Sequence, residues 1–257
     1  MPVAAPFGLD ANDLLRLIKT RRLDTAAALD AHVAAELDRV NAPAAVWRLP
    51  AAVADLPDPY RAGQLLQKAA AGEPLNGAEL AALAAEGAFL LGGALSRRGM
   101  RWQLFLDFGE HAGNCRPVLP LFEKMITKKR LPDTVLCVGR AADVTAFLPL
   151  FAAGGAPAPR VFLALDGAVP TVLADTLTAA LVAAPGAFLG LAGDAADFSA
   201  VPMTALYEKA LRRHLFGRTL PLAPTLAHDE ARALFDALAP APTGRLCRFL
   251  TGQSGES

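Results

Sequence analysis

The sequence lacks the features that mark secreted, disulfide-bonded and membrane-spanning proteins. Its 257 residues include only three cysteines, Cys115, Cys137 and Cys247, and no C-x-x-C spacing. An odd number of scattered cysteines is typical of buried, reduced thiols in a cytosolic protein. No leader with a basic start and an apolar centre is visible, and the most apolar window, 87–95, is far shorter than the ~20 residues that cross a bilayer. We therefore expect a soluble, cytoplasmic protein that makes no membrane contact.

An excess of charge of either sign is also absent. The chain has 25 Lys and Arg residues against 25 Asp and Glu residues, so its formal net charge is zero. A protein that binds nucleic acid by neutralising phosphates is usually basic, so we expect no nucleic-acid partner. The chain also contains no G-x-S-x-G, no G-x-x-x-x-G-K-[ST] and no G-x-G-x-x-G. These absences argue against an α/β-hydrolase, a P-loop enzyme and a dinucleotide-binding domain.

Helical periodicity dominates the first hundred residues. Four stretches are predicted to be helices: 10–22, 24–41, 59–72 and 76–95. The first has Asp10 or Asn12 available as a cap, and the second spaces Leu29, Val33 and Leu37 by four residues. Asn41 and Pro43 are expected to end the second helix, and a glycine to end each of the last two. Residues 49–60 contain three prolines and are predicted to be a connection.

From about residue 99 the pattern changes to short apolar runs. Four of them, 101–108, 134–140, 160–167 and 187–194, each end in a polar or glycine turn, and the turns are separated by 27 to 30 residues. This separation fits a strand, a helix and two loops, and continuous apolar runs are typical of strands buried on both faces of a parallel sheet. Two further runs, 218–224 and 244–252, are expected to add strands.

The predicted fold class is therefore α/β, with a doubly wound, mostly parallel, Rossmann-like sheet and an N-terminal helical region. The expected domains are a helical region at 1–98, an α/β domain at 99–250 and a polar, disordered tail at 251–257.

Polar residues at the ends of the predicted strands form the candidate site. Ligands of open α/β sheets bind at the carboxyl ends of the strands, although strand-to-helix turns also need Gly, Asp or Asn for backbone reasons alone. Asp107 and Asp166 each follow apolar residues, and a carboxylate held partly out of water needs a partner. Asp143 and Asp197 lie where helix caps are expected. The remaining candidates at these turns are Glu110, His111, Asn114, Cys115, Arg140 and Asp194.

Two kinds of chemistry have little support at these turns. Asp107, Glu110, His111 and Asp166 could chelate a divalent metal, but no H-x-x-x-H or H-x-H spacing supports this, so no metal site is predicted. A nucleophilic Cys115 would need a base and an electropositive setting. His111, four residues earlier, is the only residue that supports this chemistry.

The stretch "LFLDFGEHAGN" resembles the first motif of Rossmann-like S-adenosylmethionine-dependent methyltransferases. One subgroup, the FkbM type, often has D-x-G-x-x-x-G-N, which Asp107, Gly109, Gly113 and Asn114 match. The resemblance implies that the glycines let S-adenosylmethionine approach the backbone and that Asp107 organises contacts to its amino-acid portion. It also places Arg140 and Asp166 beside the cofactor. His111 and Glu110 would be the candidate general bases.

The resemblance covers about 100 residues, 101–198, and departs from the family at several positions, among them His111 and Arg140. His111 stands where many members have a second glycine, and the second strand ends in Arg140 rather than in an acid for the ribose. A second alignment is also open. It makes "VLCVGRAAD" the first motif, Asp166 the ribose acid and "GDAADF" the adenine-contacting turn, but it lacks the glycine-rich loop.

Three functions follow as alternatives. The first is a methyltransferase-like domain that transfers methyl from S-adenosylmethionine to a small-molecule or protein acceptor. The second is a non-catalytic Rossmann-like scaffold that acts as a binding or assembly component, and the third is another α/β enzyme that uses the strand-end carboxylates. The Ala- and Leu-rich stretches 77–95 and 171–184 are where a homodimer or a protein partner would dock.

Overall fold

A computed structural model describes two long stretches of the first half of the chain and shorter segments beyond it. The described residues are 4–8, 10–50, 56–107, 118–139, 144–147, 150, 161–166, 179, 187–192 and 249–251. The helices are α1 (Ala11–Arg21), α2 (Ala26–Val40), α3 (Pro59–Ala71), α4 (Gly77–Arg98) and α5 (Leu119–Thr127). The strands are β1 (Ala44–Pro50), β2 (Arg101–Asp107), β3 (Thr134–Val138), β4 (Val161–Asp166) and β5 (Phe188–Ala192).

The fold is α/β with a parallel sheet and flanking helices, as predicted, and is consistent with a Rossmann-like architecture. The strands are hydrogen-bonded in the order β1-β2-β3-β4-β5. β1 pairs with β2 in parallel, from Ala44 opposite Arg101 to Pro50 opposite Asp107. β4 pairs with β5 in parallel, with an irregularity between Leu163 and Ala164. The four strands predicted from apolar runs are β2 to β5, so this part of the prediction is confirmed.

Strand β1 was not predicted from the sequence. Residues 44–50, "AAVWRLP", begin with two alanines and end with proline, which is a weak strand signal. The strand forms because backbone partners lie on both sides of it. β2 pairs along its whole length, and Ala4 adds a bridge through Ala4 N to Ala44 O and Val46 N to Ala4 O, both 2.9 Å. The region 1–98 is thus not purely helical.

The chain divides into two compact units, and the division falls inside β3. The first contains Met1–Val135 and Gly154–Arg160, and the second contains Leu136–Ala153 and Val161–Ser257. All five helices, β1 and β2 therefore belong to the first unit. The domain boundaries predicted at residues 98 and 250 stay predictions.

Local capping signals set the helix ends of the first unit. Asp10 Oδ1 accepts hydrogen bonds from the backbone N–H groups of Asn12 and Asp13, at 2.8 and 3.0 Å. Thr25 caps α2, and Asn41 ends that helix in a left-handed conformation. Gly72 and Gly99 end α3 and α4 in the same way, with φ of 80° and 64°. All four predicted helices, including the two closed by glycine, are confirmed.

Helix α4 is the central element of the first unit. It packs against α1, α2, α3, α5, β1 and β2. Of the helices that the structure describes, α4 alone is long and apolar enough to cross a membrane, but 72% of its apolar window is buried. That degree of burial is typical of a core helix. The apolar surface predicted at 77–95 therefore lies largely inside this unit, whereas nearly all of 171–184 lies outside the described residues.

Two tryptophans pack the sheet onto α4. Trp47 of β1 and Trp102 of β2 lie on the same face of the strand pair, because Trp102 is opposite Ala45 and side chains alternate along a strand. Both indoles are fully buried against α4. A Cβ atom at Gly87 would lie 3.3 Å from the Trp47 ring, and one at Gly92 would lie 3.3 Å from the Trp102 ring. The glycines of this helix therefore make room for the indoles.

The described part of the second unit consists mainly of β4 and β5. The ring of Phe249 packs on that of Phe162 in β4, with centroids 4.7 Å apart. Phe249 to Thr251 are helical, so the strand expected at 244–252 is wrong for these three residues. A short apolar run does not distinguish a strand from a buried helix. Thr251 is also the only described residue of the predicted tail, and the run 218–224 lies outside the described residues.

Candidate functional site

Asp107 lies at the carboxyl end of β2, as the sequence analysis predicted. The strand before it is apolar and deeply buried, and Trp102, Leu104 and Phe105 are at most 1% exposed. Its partner in register is Pro50, the last residue of β1. Because the two strands are parallel, both reach their carboxyl ends at the same edge of the pair. The backbone position of Asp107 is thus the position at which parallel sheets present ligand-binding groups.

Most of the predicted cofactor loop lies outside the described residues. This applies to Gly109, Glu110, His111, Gly113, Asn114 and Cys115, which follow Asp107 directly in the sequence. The chain is described again from Val118, and α5 begins at Leu119. The predicted roles of Gly109, Gly113 and Asn114 in cofactor binding, and of Glu110 and His111 in catalysis, therefore stay predictions.

The start of α5 has no side-chain cap. Val118 occupies the N-cap position, and its apolar side chain accepts no hydrogen bond from the first turn. Pro120 within that turn has no N–H group to donate. The other N–H groups of the turn have no acceptor from the cap side chain, in contrast to the first turns of α1 to α4. This helix follows the predicted cofactor loop directly.

The other predicted residues follow β3 and β4. All five residues of β3 are buried, including the thiol of Cys137, as predicted for that cysteine. Gly139 is described, but Arg140 and Asp143 lie outside the described residues. Asp166 is the last residue of β4, opposite Ala192 of β5. Asp166 thus also closes a parallel strand, but in the second compact unit, whereas Asp107 belongs to the first.

Other grooves and clusters in the described residues do not include the predicted site. One surface groove of about 550 Å³ lies between the end of α3 and the start of α4, lined by polar side chains that include Arg61, Lys68 and Glu79. Another, of about 450 Å³, lies where α2 and α4 end, beside Asp38 and Arg98. No group of three or more His, Cys, Asp or Glu residues within the described ranges could hold a metal ion.

One buried carboxyl group was not predicted from the sequence. Glu86 lies in the middle of α4 and is 8% exposed. Burial raises the pKa of this carboxyl above its ordinary value, and Arg130 and Lys124 oppose that rise through their positive charges. The available signal was a single acid within the apolar stretch "LAALAAEGAFLLGG". A single acid in an apolar helix can lie at the surface or in the core of the folded protein, and this sequence pattern is the same in both cases.

Comparison with known proteins adds no family to these observations. No family model matches the chain, and no curated protein matches it.

Proposed function

We propose that this chain is a Rossmann-like domain that binds S-adenosylmethionine and transfers its methyl group to a small-molecule or protein acceptor. The observation that carries the proposal is the position of Asp107. It ends a buried strand of a parallel pair, and it is also the first residue of the D-x-G-x-x-x-G-N pattern. In the sequence, the glycine-containing segment 108–117 lies between β2 and α5, which supports the strand-loop-helix order that the resemblance implies.

Each matching residue of the segment 107–114 would make a different contact with the cofactor. The Asp107 carboxylate would pair with the ammonium of the methionine portion, which relieves the cost of placing a carboxylate at the end of a buried strand. Gly109 and Gly113 would let the cofactor approach the backbone closely, and Asn114 would supply a polar contact. The first turn of α5 has N–H groups without an acceptor from its cap, which supports an outside acceptor near this turn.

Catalysis would consist mainly of positioning. The cofactor, when bound, supplies an electrophilic methyl group on a sulfonium. The protein must hold the acceptor in line with that methyl, and such orientation contributes more than any single side chain. A hydroxyl or amine acceptor also loses a proton, for which His111 or Glu110 is the proposed base. A general base of this kind contributes typically 10²- to 10⁴-fold to the rate.

A scaffold without catalysis is the second candidate, and one feature of the sequence favours it. The residue after the β3 turn at Gly139 is Arg140, where the family has an acid for the ribose hydroxyls. An arginine offers only donors, so it cannot accept hydrogen bonds from both hydroxyls. Asp143 is the nearest acid that could replace it. A domain with this departure could retain the fold and act as a binding or assembly component.

Calorimetric titration with S-adenosylhomocysteine tests the proposal directly. We expect the full chain to bind this product with micromolar affinity. Asp107→Ala removes a charge-assisted pair worth about 1.5–3 kcal/mol and should weaken binding by roughly 10- to 100-fold. Asp24→Ala is the matched control, since Asp24 is an exposed carboxylate in the turn between α1 and α2, and it should bind as the unmodified chain does.

The two candidate functions give different results in this experiment. Absence of heat and of thermal stabilisation at millimolar S-adenosylhomocysteine would contradict cofactor binding and favour the scaffold. Binding that Asp107→Ala leaves unchanged would remove Asp107 from the site and favour the second alignment, with Asp166 as the ribose acid. An Asp166→Ala variant measured in parallel separates these two placements.

A further inference from the structure

The outer face of α3 faces solvent but carries no charge. Residues three or four positions apart form this face, namely Tyr60, Gly63, Gln64, Gln67, Ala70 and Ala71. Tyr60 is 76% exposed, which is unusual for so large an aromatic side chain. The exposed positions of α1 and α2, in contrast, include Arg16 and Arg39. Interface centres are depleted in charge and enriched in tyrosine, so the composition of this face is typical of a protein–protein contact.

Two charges at the ends of this face oppose the dipole of their own helix. Arg61 lies in the first turn of α3, where the helix dipole is positive, and Glu73 follows Gly72 at the other end, where the dipole is negative. Within the described ranges, neither the Arg61 guanidinium nor the Glu73 carboxylate forms a hydrogen bond or an ion pair. Local interactions therefore do not explain why each charge occupies its end of the helix.

A second copy of α3 that runs antiparallel to the first would neutralise both charges. In a pair related by a two-fold axis, every contact between two different residues occurs twice. Gln67 is midway in sequence between Arg61 and Glu73. An axis beside Gln67 therefore places Arg61 of each copy near Glu73 of the other, and the positive end of each helix near the negative end of the other. The charges of this face are thus complementary to themselves.

The same axis brings Tyr60 of the second copy to the end of α3. The surface groove of about 550 Å³ between α3 and α4 is lined there by Ala71 and Glu73. A tyrosine has an apolar ring and a polar hydroxyl tip, so it fits a groove whose lining is partly polar. The exposed aromatic side chain and the groove therefore lie where one copy can meet the other.

We propose that the outer face of α3 is a dimerisation surface, on which a second copy of this chain docks with its own α3 antiparallel. Tyr60 is the aromatic anchor, and Arg61 and Glu73 fix the direction of the pairing. With 13 residues, α3 is about 20 Å long, so one helix pair buries less than the ~800 Å² per partner of a standard interface. The dimer is therefore weak, with a Kd in the micromolar range. This proposal does not depend on the proposed methyl transfer.

Sedimentation equilibrium of the full chain over a range of concentrations tests the surface. We expect a monomer–dimer equilibrium with a micromolar Kd. Arg61→Glu or Glu73→Arg places like charges together at both ends of the pair, and each should weaken dimerisation by roughly tenfold or more. The combined variant has opposite charges together again and should recover the Kd of the unmodified chain. Lys128→Glu is the matched control, since Lys128 is exposed at the end of α5, and it should leave the Kd unchanged.

A weaker dimer cannot be attributed to damage of α3 in these variants. Glu at position 61 and Arg at position 73 both agree with the dipole of the helix, so neither single substitution should destabilise it. Urea unfolding of the same samples checks this point. Tyr60→Ala removes the anchor without a charge change and should weaken dimerisation by roughly tenfold.

Crosslinking locates the contact independently of the charge changes. Packed helices lie about 8–10 Å apart, so a short bismaleimide should join two copies of Gln67→Cys far more efficiently than two copies of the unmodified chain or of Lys128→Cys. Equal crosslinking of the three proteins would overturn the proposal. So would a chain that stays monomeric up to millimolar concentration, a Kd that the single charge reversals leave unchanged, or a combined variant that dimerises no better than the single ones.

Discussion

The first turn of α4 and its middle are stabilised in different ways. The first turn is held by local interactions, because Asn76 and Glu79 form a capping box in which each side chain bonds the backbone of the other. The middle is held by distant segments. Gly87 and Gly92 lie against side chains from α1, both strands of the pair and the end of α5.

The first turn of α4 is therefore specified by residues that are close in sequence. Its middle is specified by the shape of the segments that pack against it. In the first turn the polar groups are paired, and Lys68 Nζ lies 2.8 Å from Glu79 Oε1. In the middle the indole N–H groups of Trp47 and Trp102 are buried without an acceptor among the described residues. Packing rather than hydrogen bonding therefore determines how the middle of α4 fits its neighbours.

The largest expected effect comes from adding one methyl group to the middle of α4. A Cβ atom at Gly92 would lie 2.6 Å from the backbone O of Arg130 and would also overlap the end of Met125. The backbone cannot move aside as a flexible side chain can. We expect Gly92→Ala to lower the free energy of unfolding by about 2 kcal/mol, after allowance for the better helix propensity of alanine. Urea denaturation of the full chain measures this change.

The same substitution at the start of the helix serves as its control. Nothing lies within 4 Å of a Cβ atom at Gly77, so Gly77→Ala should leave the stability unchanged or raise it by up to ~1 kcal/mol. Equal destabilisation by the two substitutions would contradict the distinction between the end and the middle of α4.

The same distinction explains which parts of the fold the sequence predicts. Asp10, Thr25, Gly72 and Gly99 act within a few residues of their own positions, so the limits of the helices are readable from the chain. Strands β2 to β5 are readable because burial on both faces makes them continuously apolar. Strand β1 cannot be predicted in this way, because its conformation depends on pairing with β2, which lies more than fifty residues away in the chain.

The candidate site likewise has features that the sequence predicts and features that it does not predict. That Asp107 and Asp166 end strands follows from the apolar runs before them, and the structure confirms it. The burial of Glu86 depends on the distant elements that pack around α4, and no local pattern contains that information. A ligand's preference for Asp107 or Asp166 likewise depends on how residues distant in the chain are arranged. Cofactor titration of the two variants is the direct way to decide it.

The cap of α4 gives a smaller expected effect. Asn76 Oδ1 accepts a hydrogen bond from the backbone N–H of Glu79 at 2.9 Å. Asn76→Ala leaves that N–H without its acceptor and should lower the free energy of unfolding by about 1 kcal/mol. Asn76→Asp retains an acceptor and a favourable charge at the helix N-terminus, so it should restore the stability. Equal losses in the two variants would show that the cap contributes little.

The smallest expected effect is the pH dependence of Glu79, and its sign is opposite to that of Glu86. The hydrogen bond from Lys68 lowers the pKa of Glu79, and the backbone N–H of Asn76 lowers it further. The folded protein therefore holds this proton less tightly than the unfolded chain does. The resulting stabilisation is complete above the ordinary range of a glutamate and is lost as pH falls through the lowered pKa. Glu79→Gln should reduce the acid-side loss of stability in urea unfolding, whereas Glu86→Gln should act at higher pH. If both substitutions changed the stability over the same pH range, the two carboxyls could not have the different environments described here. Glu79 is solvated and ion-paired, whereas Glu86 is buried.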